Sequence, residues 1–315
     1  MTAPRLDLAV RDWDFITPLL LGDVRSPTLD LRLHRVNALV DGLARHPQYD
    51  GGEMSLSRFT QSCLRGEREL VGVPQFIMRA FRHRCIITRR DSPLHSLAAL
   101  AGQRIGMTGW QDSGNTWTRA LLRREGIGTE DARWFVGRLA ADHPVIDRLN
   151  GFGRPGRIEA LPGEVPLVDA LLAGDLDAVF TPFMPPGFFA PDAALRPLLP
   201  DVRAAERAYF NDTGYVPGIH LIGLKPEVVG RIPGVVEEVT RLIDESTRVW
   251  LAKRAKYADT TPWILEEIGH MERDLPATWS RSGWQANRAM LDDFCLELHA
   301  QGLTPERGHA GLLFD

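Results

Sequence analysis

The spacing of apolar residues along this 315-residue chain changes period repeatedly, from two to about three and a half and back. Leu6, Leu8 and Val10 alternate as in a half-buried strand, and Leu29, Leu31 and Leu33 repeat the pattern. Between them, Ile16 to Gly22 reads as a short helix ending at its glycine. A helix is expected around Asn37 to Arg45, and Ser55 or Ser57 is a good N-cap for the helix after it. Leu70 to Val73 and Arg84 to Thr88 read as strands. Ser96 can cap a helix through Leu100, Gly102 can end it, and Arg104 to Met107 starts another strand. A small polar loop, Gly109 to Asn115, leads into a helix from Thr116 to Arg124, an order that points backbone N–H groups at an anion. VDALLAGDLDAVFTP repeats the alternation, with a Gly174 stop and a strand at Ala178 to Thr181. A strand at Gly218 to Leu224 precedes a helix at Gly234 to Lys256, with Val235, Val239, Leu242 and Val249 at helical spacing. Such alternation builds α/β structure, with mostly parallel sheets covered by helices on both faces. Ligands in such sheets sit beyond the carboxyl ends of the strands.

The character of the chain shifts near residues 89 and 215. That predicts an inserted arrangement: 1–89 and 216–315 form one lobe, 90–215 the other, with crossovers near 88–95 and 210–220. Net charge is −4, which gives no basic footprint for nucleic acid. No apolar run reaches the roughly 20 residues that a membrane span needs. The first residues, MTAPRLDLAVRDWDF, show no basic stretch followed by an apolar one, so the expected location is cytoplasmic. Cys63, Cys85 and Cys295 lie far apart, which reads as free buried thiols. The histidines do not cluster at metal-ligand spacing, and no metal is expected.

Several segments resemble a known family. HSLAALAGQRIGM and LLAGDLDAVF are similar to second-lobe signatures of type II solute-binding proteins. EMSLS at 53–57, RAFRH at 79–83, WFVG at 134–137, AERAYFNDTGYVPGIH at 205–220 and QANR at 285–288 resemble, in order, the 4,5-dihydroxyphthalate decarboxylase family. The resemblance implies a two-lobed type II periplasmic-binding-protein-like fold with a ligand cleft between the lobes. It also implies decarboxylation of an electron-rich aromatic acid without an organic cofactor. The run from Trp110 to Trp117 departs from the family, because Asp112 stands where an apolar residue is expected.

The chemistry asks for a proton, for groups that hold carboxylates, and for exclusion of water. Arginine suits bidentate carboxylate recognition, and histidine suits proton donation near neutral pH. RAFRH supplies both. As an extended segment it would turn Arg79, Phe81 and His83 one way and Arg82 the other. His83 is the first candidate acid, its pKa lowered by the adjacent arginines, and His220 is the second. Glu53 reads either as a cleft carboxylate or as a first-turn helix charge. Ser55 and Ser57 read as caps that also touch ligand. In the second lobe Ser113 and Asn115 could hold a carboxylate. Trp117 could stack on a ring or lie in the core, and Arg119 is a ligand clamp or a helix surface charge. Asn287 is a polar contact or a structural cap. The expected partner is a small aromatic carboxylate, with homo-oligomer formation left open. A non-catalytic carboxylate-binding protein is the alternative reading.

Overall fold

A computed structural model describes residues 3–314. The chain divides into two compact units: Met1–Arg79, Gly218–Asp292 and His309–Asp315 make the first, Ala80–Pro217 and Asp293–Gly308 the second.

In chain order, the first unit begins with β1 (Arg5–Arg11), α1 (Thr17–Leu20), β2 (Asp30–Val36), β3 (Gly51–Ser55), α2 (Leu56–Leu64) and β4 (Val71–Arg79). The second unit follows with β5 (Ile86–Arg89), β6 (Arg104–Met107), α3 (Ser113–Arg124), β7 (Arg133–Val136), β8 (Ile158–Ala160), α4 (Leu167–Ala173), β9 (Ala178–Phe180), β10 (Leu195–Pro197) and α5 (Val202–Thr213). The chain then returns to the first unit as β11 (Gly218–Leu224), α6 (Pro226–Arg231), α7 (Val235–Lys256) and α8 (Ile264–Asp274). Helix α9 (Arg288–Ala300) begins in the first unit and ends in the second, and α10 (Ala310–Phe314) closes the chain in the first.

The first unit holds a five-stranded sheet in the order β2-β1-β3-β11-β4, in which β11 alone runs antiparallel to its neighbours. Leu6, Leu8 and Val10 of β1 pack into one core with Val73, Ile77, Ile222 and Leu224 of neighbouring strands and Val235, Val239 and Leu242 of α7. The strand is covered on both faces, since Ala9 is buried too. Half-burial belongs instead to β2 at the sheet edge. Strand β3 is squeezed between β1 and β11, so a Cβ at Gly52 would collide with the Ala9 carbonyl.

The second unit holds a six-stranded sheet in the order β10-β5-β9-β6-β7-β8. Strands β6, β7, β8 and β9 are parallel, and β5 opposes β9 and β10. Helix α4 packs Leu167 and Leu171 onto Ile87, Phe135 and Val179. It ends at Gly174, whose φ of +82° lets the backbone take the left-handed turn that stops the helix.

Four further expectations change. The first division falls between Arg79 and Ala80, earlier than residue 89, because the strand signal at Arg84 to Thr88 is β5, whose neighbours are β9 and β10. The second falls between Pro217 and Gly218. The C-terminal segment 293–308 returns to the second unit rather than staying with the first. Finally, residues 37–45 form turns with only a short 3-10 segment at Leu43–Arg45, since Gly42 sits at a φ of +62° and interrupts any helix there.

Candidate active site

At the carboxyl end of β1, Arg11 meets Glu53 of β3 and His220 of β11. Pairing of β3 with β11 sets Ile222 opposite Glu53 and His220 opposite Ser55. Residues two apart on a strand share a face, so Glu53 and His220 are diagonal neighbours within reach of each other. His220 Nδ1 lies 2.6 Å from Glu53 Oε1. Arg11 donates from Nε (3.0 Å) and Nη2 (2.9 Å) to the same oxygen. The other carboxylate oxygen accepts from the Arg11 backbone N–H and from Trp13 Nε1, both at 3.0 Å. The Glu53 side chain is 1% exposed. Burial alone would push its carboxyl up, but the His220 and Arg11 contacts outweigh burial and hold it at about 2. Arg11 Nη2 also lies 2.6 Å from His220 Nδ1. That nitrogen can donate to Glu53 or accept from Arg11, but not both, and an ionised Glu53 favours the donating tautomer.

Trp13 and Met78, which contact Glu53 and Arg11, also line an apolar cavity of roughly 1000 Å³ together with Phe76, Trp250, Met271 and Trp279. Arg11 and Trp13 were not singled out from sequence. The available signal was that Arg11 ends an alternating strand, where α/β sheets place ligands.

The remaining candidates fall into two groups. In the first unit, Ser55 caps α2 by accepting from the Arg58 N–H at 3.4 Å. Ser57 is fully buried and accepts from Gln61 Nε2. Arg79 donates to the Arg281 carbonyl (2.8 Å) and Asn287 Oδ1 (2.7 Å) and lies over the Phe76 ring. Burial lowers its guanidinium to about 10, still a cation at neutral pH. Asn287 in turn donates to the carbonyls of Arg281 and Gly283. This pair ties down the 281–287 segment, the structural alternative of the two roles expected for Asn287.

In the second unit, Arg82 and His83 are not part of an extended segment with Arg79. Arg82 has φ −109° and ψ −7°, and His83–Cys85 is a 3-10 turn. His83 is 5% exposed and meets the Tyr209 ring edge-on. Burial, and then Arg124, lower its imidazole to about 4, which keeps it neutral at pH 7. The cause is thus not the adjacent arginines expected from the sequence. Helix α3 starts at Ser113, three residues before the expected Thr116, and Ser113 is buried. Asn115 braces the preceding loop by donating to the Gly109 carbonyl at 2.8 Å. Trp117 packs on Phe294, with ring centroids 5.0 Å apart, and belongs to the core. Arg119 is not a surface charge. It is 1% exposed, donates to Gln301 Oε1 and the Trp110 carbonyl at 2.7 Å each, and lies over the Trp110 ring. Among the described residues no three His, Cys, Asp or Glu side chains gather as a metal-ligand set.

No family model matches the chain. It is 28% identical, over an alignment of 333 positions, to a 4,5-dihydroxyphthalate decarboxylase of Comamonas testosteroni, covering 100% of this chain and 97% of that one. It is 29% identical over 231 positions to a 4,5-dihydroxyphthalate decarboxylase of Pseudomonas putida, covering 68% of this chain and 84% of the relative. Among solved structures, the periplasmic aliphatic sulphonate binding protein SsuA from Escherichia coli matches with a TM-score of 0.57 at 14% identity, over 100% of both chains. That likeness concerns the fold alone: two α/β units of the type II periplasmic-binding-protein kind.

Proposed function

We propose that this chain, which aligns along all of its residues with a 4,5-dihydroxyphthalate decarboxylase at 28% identity, decarboxylates a hydroxylated aromatic carboxylic acid, with 4,5-dihydroxyphthalate the first substrate to test. The observation that supports the reading most is the Glu53–His220 pair with Arg11. A ring hydroxyl para to a carboxylate feeds electrons to the carbon that bears it. A proton adds to that carbon, the bond to the carboxylate breaks, carbon dioxide leaves, and the bonding pair returns to the ring. For 4,5-dihydroxyphthalate the product is 3,4-dihydroxybenzoate. In this reading His220 delivers the proton, and Glu53 orients the ring through Nδ1 and favours its charged form. Arg11 keeps Glu53 ionised. His83 is the weaker candidate, since burial keeps its ring neutral at pH 7. A simple carboxylate-binding protein would need no such pair beside its ligand.

The test is to incubate the purified chain with 4,5-dihydroxyphthalate and with mono- and dihydroxybenzoates, and to measure released carbon dioxide. Release from one of them, lost in His220→Gln, supports the reading. Tight binding of all of them without release makes the chain a binding protein.

A further inference from the structure

Strand β4 and helices α7 and α8, all of the first unit, wall the apolar cavity of roughly 1000 Å³. Ile268, Met271 and Leu275 line it, at helical spacing along α8 and its C-terminal cap. An apolar stripe of this kind ordinarily packs into a core. Yet α8 has no buried residue, and these three side chains are only half-buried. Trp13, Trp250 and Trp279 line the same cavity and are half-buried too. These six side chains converge on space that no described residue fills. Apolar surface held in a concave site beside unfilled volume is the mark of a ligand cavity.

The polar groups of the wall indicate what the ligand is. Asp244 accepts from Gln75 Nε2 and from the Ser282 hydroxyl, both at 2.6 Å. Arg79 donates to the Arg281 carbonyl and Asn287 Oδ1. The wall thus satisfies these groups itself and does not call on the occupant for a charge. The exposed charges around the cavity, Arg248 and Arg254 on α7 and Glu267 and Glu272 on α8, are of both signs, so they select neither anion nor cation. Indole and phenyl rings favour stacking on other aromatic rings. The volume lies at the upper end of the range for small-molecule sites, about 300–1000 Å³, which leaves room for more than one ring.

We propose that this cavity is a second ligand site, for an uncharged molecule of two or three aromatic rings, and that its occupancy is felt at Glu53 and His220 through Trp13. Trp13 presents its ring to the cavity while Nε1 donates to Glu53 Oε2 at 3.0 Å. Its ring also lies under the Arg11 guanidinium, 4.7 Å away. Met78 lines the cavity as well, with its sulfur 3.3 Å from Arg11 Nη2. An occupant that fixes Trp13 and Met78 therefore fixes the residues that hold Glu53 and, through it, the His220 ring. The site does not depend on the decarboxylase reading.

The probe is N-phenyl-1-naphthylamine, an uncharged dye whose emission rises in apolar surroundings, titrated into the full chain. It should bind saturably, one per chain, and naphthalene should displace it. Phthalate carries the carboxylates of 4,5-dihydroxyphthalate without the hydroxyls that activate its ring, and it should not displace the dye. Ile268→Glu puts a carboxylate in the wall and should weaken the dye at least about tenfold. Its thermal midpoint should stay near the parent's, because α8 buries nothing. Ala277→Trp, which fills the cavity from its rim, should weaken the dye in the same direction and decides the matter if Ile268→Glu fails to fold. Unchanged dye affinity in the folded variants overturns the site. Displacement by phthalate makes the cavity part of the substrate's own pocket and overturns a second site. A parent that is dimeric in solution, with Ile268→Glu monomeric, assigns the cavity to a second copy and overturns the ligand. The link to His220 is read by NMR on isotope-labelled histidine, its imidazole signal assigned by its loss in His220→Gln. Saturating naphthalene should move that signal in the parent and leave it in place in Trp13→Phe. A signal that does not move in the parent overturns the link.

Discussion

Replacing Glu53 by glutamine removes the charge that organises its cluster while keeping the side chain's shape. Glu53 Oε1 faces Arg11 Nε, Arg11 Nη2 and His220, and Oε2 faces the Arg11 N–H and Trp13 Nε1. A glutamine has one acceptor oxygen, so its amide NH2 must point at one of these sets of donors. The structure bounds the cost from two sides. Breaking a buried ion pair by removing one partner costs about 3–5 kcal/mol. Holding the carboxyl at about 2, against its ordinary 4.5, corresponds to about 3 kcal/mol in favour of the ionised form. A loss of about 3 kcal/mol at pH 7 is expected in urea unfolding. The pH dependence gives the sharper check. A depressed carboxyl contributes fully above its unfolded value of 4.5, and the contribution is lost as pH falls toward the folded value near 2. The gap between parent and Glu53→Gln should hold from pH 7 to 5 and then narrow by about 2 kcal/mol by pH 3. A gap under about 1 kcal/mol at pH 7, or one that does not change between pH 5 and 3, would refute the reasoning.

His220→Gln should lose about 10²–10⁴-fold in kcat on the true substrate and still bind phthalate in calorimetry; near-normal turnover moves the acid elsewhere. His83 titrates below its ordinary 6.5, at about 4, so the unfolded chain takes up a proton in that window that the folded chain refuses. Stability therefore falls as pH drops from 6.5 to 4, by about 3 kcal/mol, and His83→Leu should remove that slope in pH-dependent unfolding. Arg119→Met strands the acceptors on Gln301 and Trp110. It should cost about 2 kcal/mol of stability while phthalate affinity stays within about twofold, whereas a large loss of affinity with intact folding would return Arg119 to the ligand.

Elements whose burial follows a local period were legible in the sequence. Strand β6, the α4–Gly174–β9 run, β11 and α7 lie within a few residues of where alternation or helical spacing put them. What was not legible depends on distance along the chain. RAFRH is one motif in sequence, but the chain changes unit after Arg79, and no periodicity marks such a boundary. Helical spacing in α9 is continuous although the helix serves two cores. Glu53 and His220 are 167 residues apart, so either could be named a candidate, but their pairing could not. Arg119 read as a ligand clamp or a surface charge because the acceptor that holds its Nε, Gln301, lies far along the chain.

Strand β4 has a single neighbour in its sheet, β11, which comes from residues 218–224. During synthesis β4 therefore emerges long before anything can pair with it, and its apolar residues Val73 and Ile77 wait through the whole of 80–217. The second unit waits as well, because Phe294 and Gln301, which pack on Trp117 and hold Arg119, arrive close to the end of the chain. Neither unit can finish on the ribosome ahead of the other, and loop closure over such separations is slow. The nascent chain is most exposed to aggregation while 80–217 is being made. A fragment comprising 80–217 alone keeps the core of Ile87, Phe135, Leu167 and Val179 but leaves Trp117 and Arg119 of α3 without Phe294 and Gln301.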